Sequence, residues 1–132
     1  MANPDHIRIL KQGVTAWNEW RQTHPDIVPD LREAKFGAFR MEGYDLSHCD
    51  MRNMRIDSCF LGNLNLSSAN LQGVGINNTV LSNINLTDAD MSRINIRGSI
   101  LNGVNMDGAD LREAVFVSLV IEKMTMSVFQ FK

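Results

Sequence analysis

No stretch of this 132-residue chain is apolar for long enough to cross a bilayer. The most apolar run, residues 114–121, is eight residues long and contains Ser118, against the ~20 that a spanning helix needs. The opening MANPDHIRIL has no basic stretch followed by an apolar one, so no secretory leader is expected. An excess of basic charge is also missing. Thirteen Lys+Arg against fifteen Asp+Glu leave a net charge of −2, which argues against a general nucleic-acid binder and against a strongly acidic decoy alike. Cysteine is scarce: Cys49 and Cys59 are the only two. His6, His24 and His48 are scattered, and no Cys/His spacing resembles a zinc site. Phosphate loop, nucleophile elbow and dinucleotide fingerprint are all absent from the sequence. We therefore expect no enzyme, no cofactor, no metal, no small-molecule substrate, no nucleic acid and no membrane partner.

What the chain has is a repeat. Stepping by five from Leu31 through Phe36, Met41 and Leu46 to Met126 and Phe131 meets an apolar residue at all 21 positions. Five is neither the 3.6 of a helix nor the 2 of a simple strand. We call these the centres. Two residues before each centre lies a second inward position, because i and i−2 of an extended segment share a face. From Ala34 to Phe129 it is polar only at Thr79 and Ser99. The remaining positions are rich in Asn, Asp, Ser, Gly and Arg, the residues of turns and surfaces. A longer period overlies the first. Asn65, Asn85 and Asn105 match, as do Asn70, Asp90 and Asp110, and Val80, Ile100 and Val120. A pattern returning every twenty residues means four sides stacked coil on coil.

Units such as Ala69-Asn70-Leu71-Gln72-Gly73, Ala89-Asp90-Met91-Ser92-Arg93 and Ala109-Asp110-Leu111-Arg112-Glu113 resemble the A-(D/N)-L-x-x motif of the pentapeptide-repeat family. The resemblance covers residues 29–132. It implies an all-β solenoid: a right-handed, four-sided β-helix, here of about five coils. Residues 1–28 would be an N-terminal helical cap and linker. Their Gln12-Gly13 and Trp17-Asn18-Glu19-Trp20-Arg21 resemble the leader before the repeats of many bacterial, notably cyanobacterial, members. Some family members mimic DNA and bind a type II topoisomerase such as gyrase; those are longer and strongly acidic.

A stacked core needs a cover at each end. Asn3 as N-cap, Pro4 at the first helical position and Asp5 behind it predict one helix over 3–23, stopped by His24-Pro25. Its Ile7, Leu10, Val14, Trp17 and Trp20 would close the first coil. No second helix follows the repeats, and the last coil is the most apolar, ending in Phe129 and Phe131. Cys49 and Cys59 fall on opposite inward faces, too far apart for a disulfide, which fits a cytoplasmic location. Asp30, Asp50, Asp90 and Asp110 with Asn70 form one surface column, neutralised by Arg32, Arg52 and Arg112 two residues on. Asn65, Asn85 and Asn105 form another, in which we expect amides bonded from coil to coil. One column breaks the family pattern. Where Asp or Asn is the rule, Arg40 is followed by Phe60, Val80, Ile100 and Val120. This stripe, with Phe129 and Phe131, is the expected contact surface. Its occupant would be an unidentified protein partner or a second copy in a homodimer, unless the N-terminal helix folds over it.

Overall fold

The computed structural model describes residues 1–126. Helices α1 (Pro4–Lys11) and α2 (Val14–Thr23) precede ten three-residue strands. Strands β1 (Lys35–Gly37), β3 (Arg55–Asp57), β5 (Gly75–Asn77), β7 (Asn95–Arg97) and β9 (Val115–Val117) stack in parallel as one sheet. Strands β2 (Arg40–Glu42), β4 (Phe60–Gly62), β6 (Val80–Ser82), β8 (Ile100–Asn102) and β10 (Val120–Glu122) form the neighbouring sheet. Every pairing advances twenty residues, as in Phe36↔Ile56 and Met41↔Leu61. The other two sides are joined by single bridges, Asp30↔Asp50↔Asn70↔Asp90↔Asp110 and Asp45↔Asn65↔Asn85↔Asn105↔Thr125. The chain is thus a four-sided β-solenoid with an N-terminal helical segment.

The inward parity holds along the stack. Each centre from Leu31 to Leu111 is buried, as is each second inward residue from Tyr44 to Ala109. The axial cavity is only about 20 Å³ and is lined by apolar side chains alone. A space of that size without polar partners stays dry, so the core has no room for a ligand. Cys49 and Cys59 are buried and unpaired.

Two kinds of corner make the four sides, and a single residue position distinguishes them. On the two sides joined by single bridges, the Asp or Asn before the centre accepts the N–H two residues on, as Asn85 Oδ1 does from Thr87 N–H at 3.0 Å and from Thr87 Oγ1 at 2.8 Å. The turn then closes, with Ala89 N–H donating to the Leu86 carbonyl at 3.1 Å around Asp88 at φ +58°, the pattern of a type II turn. The Asn65, Asn85 and Asn105 amides therefore bond within their own turns, not from coil to coil as expected. The nearest backbone N–H is already in reach and needs no register with the next coil.

On the sheet sides that position is Asp or Asn only at Asn95, and on the β1–β9 side the corner is satisfied differently. Cys59 N–H donates to Thr79 Oγ1 at 3.2 Å, and Thr79 N–H to Ser99 Oγ at 3.1 Å. Each hydroxyl in turn donates to the carbonyl two residues back, Asn77 at 2.9 Å and Arg97 at 3.0 Å. The two polar residues of the inward column are thus a ladder that pairs buried backbone N–H groups.

The N-terminal segment is two helices, where one was expected. Gly13 at φ +116° ends α1 and starts α2. Only glycine reaches that conformation without strain. Asn3 caps α1, accepting from Asp5 N–H at 2.9 Å.

Candidate interaction surface

Two surfaces were singled out by sequence, the N-terminal cap and the apolar stripe. The cap works by replacing a coil that does not exist. In the stack, the N–H of Asn65 donates to Tyr44 one coil back, and the carbonyl of Asn65 accepts from Leu46. Asp45, in the first coil, has no earlier coil to pair with. Asn18 Oδ1 accepts its N–H at 2.9 Å. Trp17 Nε1 and Arg21 Nη1 donate to its carbonyl at 2.8 and 2.7 Å. Arg21 Nη2 reaches the Ser47 carbonyl at 2.8 Å. Asp30 is served the same way: its N–H donates to His6 Nδ1 at 2.9 Å, and its carbonyl accepts from Asn3 N–H at 3.1 Å.

Apolar packing completes the cover. Leu10 and Trp17 are fully buried, and Ile7, Val14 and Trp20 pack half-buried against the core. The Trp20 ring stacks on His24 at a centroid distance of 5.7 Å and meets the His6 ring tilted, at 4.9 Å. Sequence periodicity points to the apolar residues only. The roles of Asn18, Arg21 and His6 are invisible to it, because no pattern of hydrophobicity marks a donor or acceptor facing an unpaired backbone edge.

The stripe lies on the β2–β10 sheet, with Arg40, Phe60, Val80, Ile100 and Val120 in register and facing outward. At its upper end it is partly closed. The Arg40 guanidinium sits 4.2 Å above the Phe60 ring, and the ring lies over Gly62, where a Cβ would come within 2.7 Å of it. Phe60 and Val80 are half-buried, whereas Ile100 is 42% and Val120 56% exposed. The hydrogen bonds of α2 all reach the first coil, so the helices do not cover Ile100 or Val120. In the same last coil Ile121 beside it is exposed as well, as are Val115, Phe116 and Val117 of β9 on the other sheet. Phe129 and Phe131 lie outside the described residues.

The Asp column is polar but not a field of free charge. Arg32 holds Asp30 at 2.9 Å and Arg52 holds Asp50 at 2.8 Å, and Arg112 pairs likewise with Asp110. Those bonds keep the three carboxyls below the usual aspartate range. Burial pushes the Cys49 thiol up to about 12, so it is no thiolate nucleophile near neutrality. Among the described residues no group of three His, Cys, Asp or Glu side chains is placed to hold a metal ion, and no helix is long and apolar enough to cross a membrane.

Comparison with known proteins agrees with the geometry. Residues 65–103 and 89–119 match the family model described as pentapeptide repeats, in eight copies. A pentapeptide-repeat protein from the cyanobacterium Cyanothece 51142 superposes with a TM-score of 0.66 at 16% identity, over 77% of this chain and 87% of that one. QnrB1, a plasmid-mediated fluoroquinolone resistance protein, gives 0.38 at 20% identity over 64% of this chain and 45% of its own. A thylakoid-lumen pentapeptide-repeat protein of Arabidopsis thaliana gives 0.34 at 18%, over 66% and 61%. No curated protein sequence matches.

Proposed function

Taking as premise that this chain is a pentapeptide-repeat protein, we propose that it is a non-enzymatic interaction module whose contact surface is the apolar stripe, with a second copy of the chain as its first occupant. One observation carries the reading: the stripe becomes more exposed from Phe60 to Val120 and ends beside exposed Ile121. Contiguous apolar surface of this kind marks a contact site, whereas scattered single residues do not. A twofold, self-complementary contact is the commonest way to cover such a patch. The closed core offers nothing for a substrate. The DNA-mimic reading finds little support in the aspartate column, where three of the carboxylates are spent on arginines.

Light scattering tests the proposal. The unaltered protein is expected to run as a dimer at high micromolar concentration and Ile100→Asp as a folded monomer. Phe129→Asp with Phe131→Asp separates a contact made by the chain end from one made by the stripe. A monomer for the unaltered protein at that concentration overturns self-association.

A further inference from the structure

The other sheet carries a feature of opposite character. Its outward column runs Lys35, Arg55, Gly75, Asn95 and Val115 in register. The side chain missing at Gly75 opens a notch of about 310 Å³, lined by Arg55, Gly73, Gly75, Asn77, Arg93 and Asn95. No carboxylate lines it.

Arg55 is pinned along the floor. A Cβ at Gly75 would meet Arg55 Cδ at 3.3 Å, and Arg55 Nη1 donates to the carbonyls of Met54 and Gly73, each at 3.1 Å. Its Nε and Nη2 have no partner among the described residues. That edge of a guanidinium is the one that grips an oxyanion through two parallel N–H bonds. Arg93 is free as well. Arg32, Arg52 and Arg112 are each spent on the aspartate two residues before them. Asp90 is instead satisfied by Ser92 and by Gln72 from the previous coil, and Arg93 forms no ion pair among the described residues, not even with Glu113 one coil on. The third observation is Asn95, whose Oδ1 is shut off from water without a hydrogen-bond partner. Buried polar atoms of that kind are rare and point to a bond still to be made.

We propose that this notch binds the phosphate of a small phosphate monoester. Two guanidinium groups match a dianion, whereas a monocarboxylate would leave one of them unpaired. The volume stands at the lower end of the ~300–1,000 Å³ of small-molecule sites, which suits a phosphate on a short hydroxylated body. A hydroxyl of that body supplies the donor Asn95 Oδ1 lacks once the Asn95 side chain rotates to open that atom to the notch. This site is independent of the apolar stripe, since the two lie on different sheets.

The test is an amide-resolved NMR titration of the full chain at low ionic strength, with inorganic phosphate and then glycerol phosphate. Chloride and succinate at matched ionic strength are the controls. Both phosphates are expected to move the amides of Gly73, Gly75, Asn77 and Asn95, with glycerol phosphate the tighter. Arg93→Gln, at an exposed residue, should weaken binding by about tenfold or more, since hydrogen bonds between charged groups are the strong ones. Its melting temperature should be unchanged. Arg112→Gln, at an arginine already paired, should leave phosphate binding as it was. Phosphate shifts that miss the notch, or that persist in Arg93→Gln, overturn the site. An equal response to succinate overturns its assignment to phosphate.

Discussion

Trp17 is fully buried, and its indole Nε1 donates to the backbone carbonyl of Asp45 at 2.8 Å. A helix side chain thereby stands in for the N–H of a coil that the chain does not have. Since the ring also fills the first coil, Trp17→Ala should lower stability by roughly 3–5 kcal/mol, read as a loss of melting temperature. Deleting residues 1–24 should leave the repeats aggregated, because both the apolar cover and the pairing of the first edge go with it. Unchanged melting in both would mean the helices are not the cap.

Leu86 tests the register. It is buried at the middle of the stack, so Leu86→Asp should unfold the chain or nearly so. An unpaired carboxylate buried between coils costs several kcal/mol against a typical total margin of ~5–15. Ser82→Ala and Asn102→Ala, on the outward side of β6 and β8, should each change stability by less than about 0.5 kcal/mol. Circular dichroism and thermal melting distinguish the cases.

Thr79→Val keeps the shape of the side chain and removes its hydroxyl. Cys59 N–H then loses its acceptor, and the Asn77 carbonyl loses a donor. Leaving a buried backbone donor unpaired should cost about 1–3 kcal/mol. Hydrogen exchange should report it locally, as faster exchange at Cys59. Ser99→Ala should do the same at Thr79.

His6 makes the cap sensitive to pH. Partial burial lowers its pKa below the ordinary 6.5, with Asp30 and Asp5 opposing that shift. The neutral ring accepts the Asp30 N–H through Nδ1, and a protonated ring cannot. The folded pKa being the lower one, the stabilisation is whole above about 6.5 and is lost as pH falls from there through the folded value. His6→Asn keeps an acceptor without a titrating ring. Between pH 7.5 and 5.5 the unaltered protein should lose about 2 °C or more of melting temperature beyond any loss in His6→Asn. Parallel melting curves for the two would remove His6 from the account.

The solenoid was legible in the sequence because its signal is local and repeated. A period of five with two inward positions names the buried residues from Leu31 to Leu111 before any coordinates, and the return every twenty residues names which of them stack. The stripe was legible for the same reason: hydrophobic Phe60, Val80, Ile100 and Val120 stand in a column whose rule is Asp or Asn. Only the tertiary structure decided the rest. Which amide an Asn85 side chain meets depends on the closure of its own turn. That Thr79 serves Cys59 depends on the spacing between coils. Asn18 and Arg21 acquire roles only once a sheet edge stands unpaired beside them, and the notch over Gly75 exists only where three coils bring Arg55, Arg93 and Asn95 to one place. Hydrophobic burial is set by which side a residue faces, and the chain's own period tells that. A hydrogen bond is set by distance and angle to one particular partner, which for Thr79, Asn18 and Arg21 lies twenty or more residues away, and no local pattern carries that information.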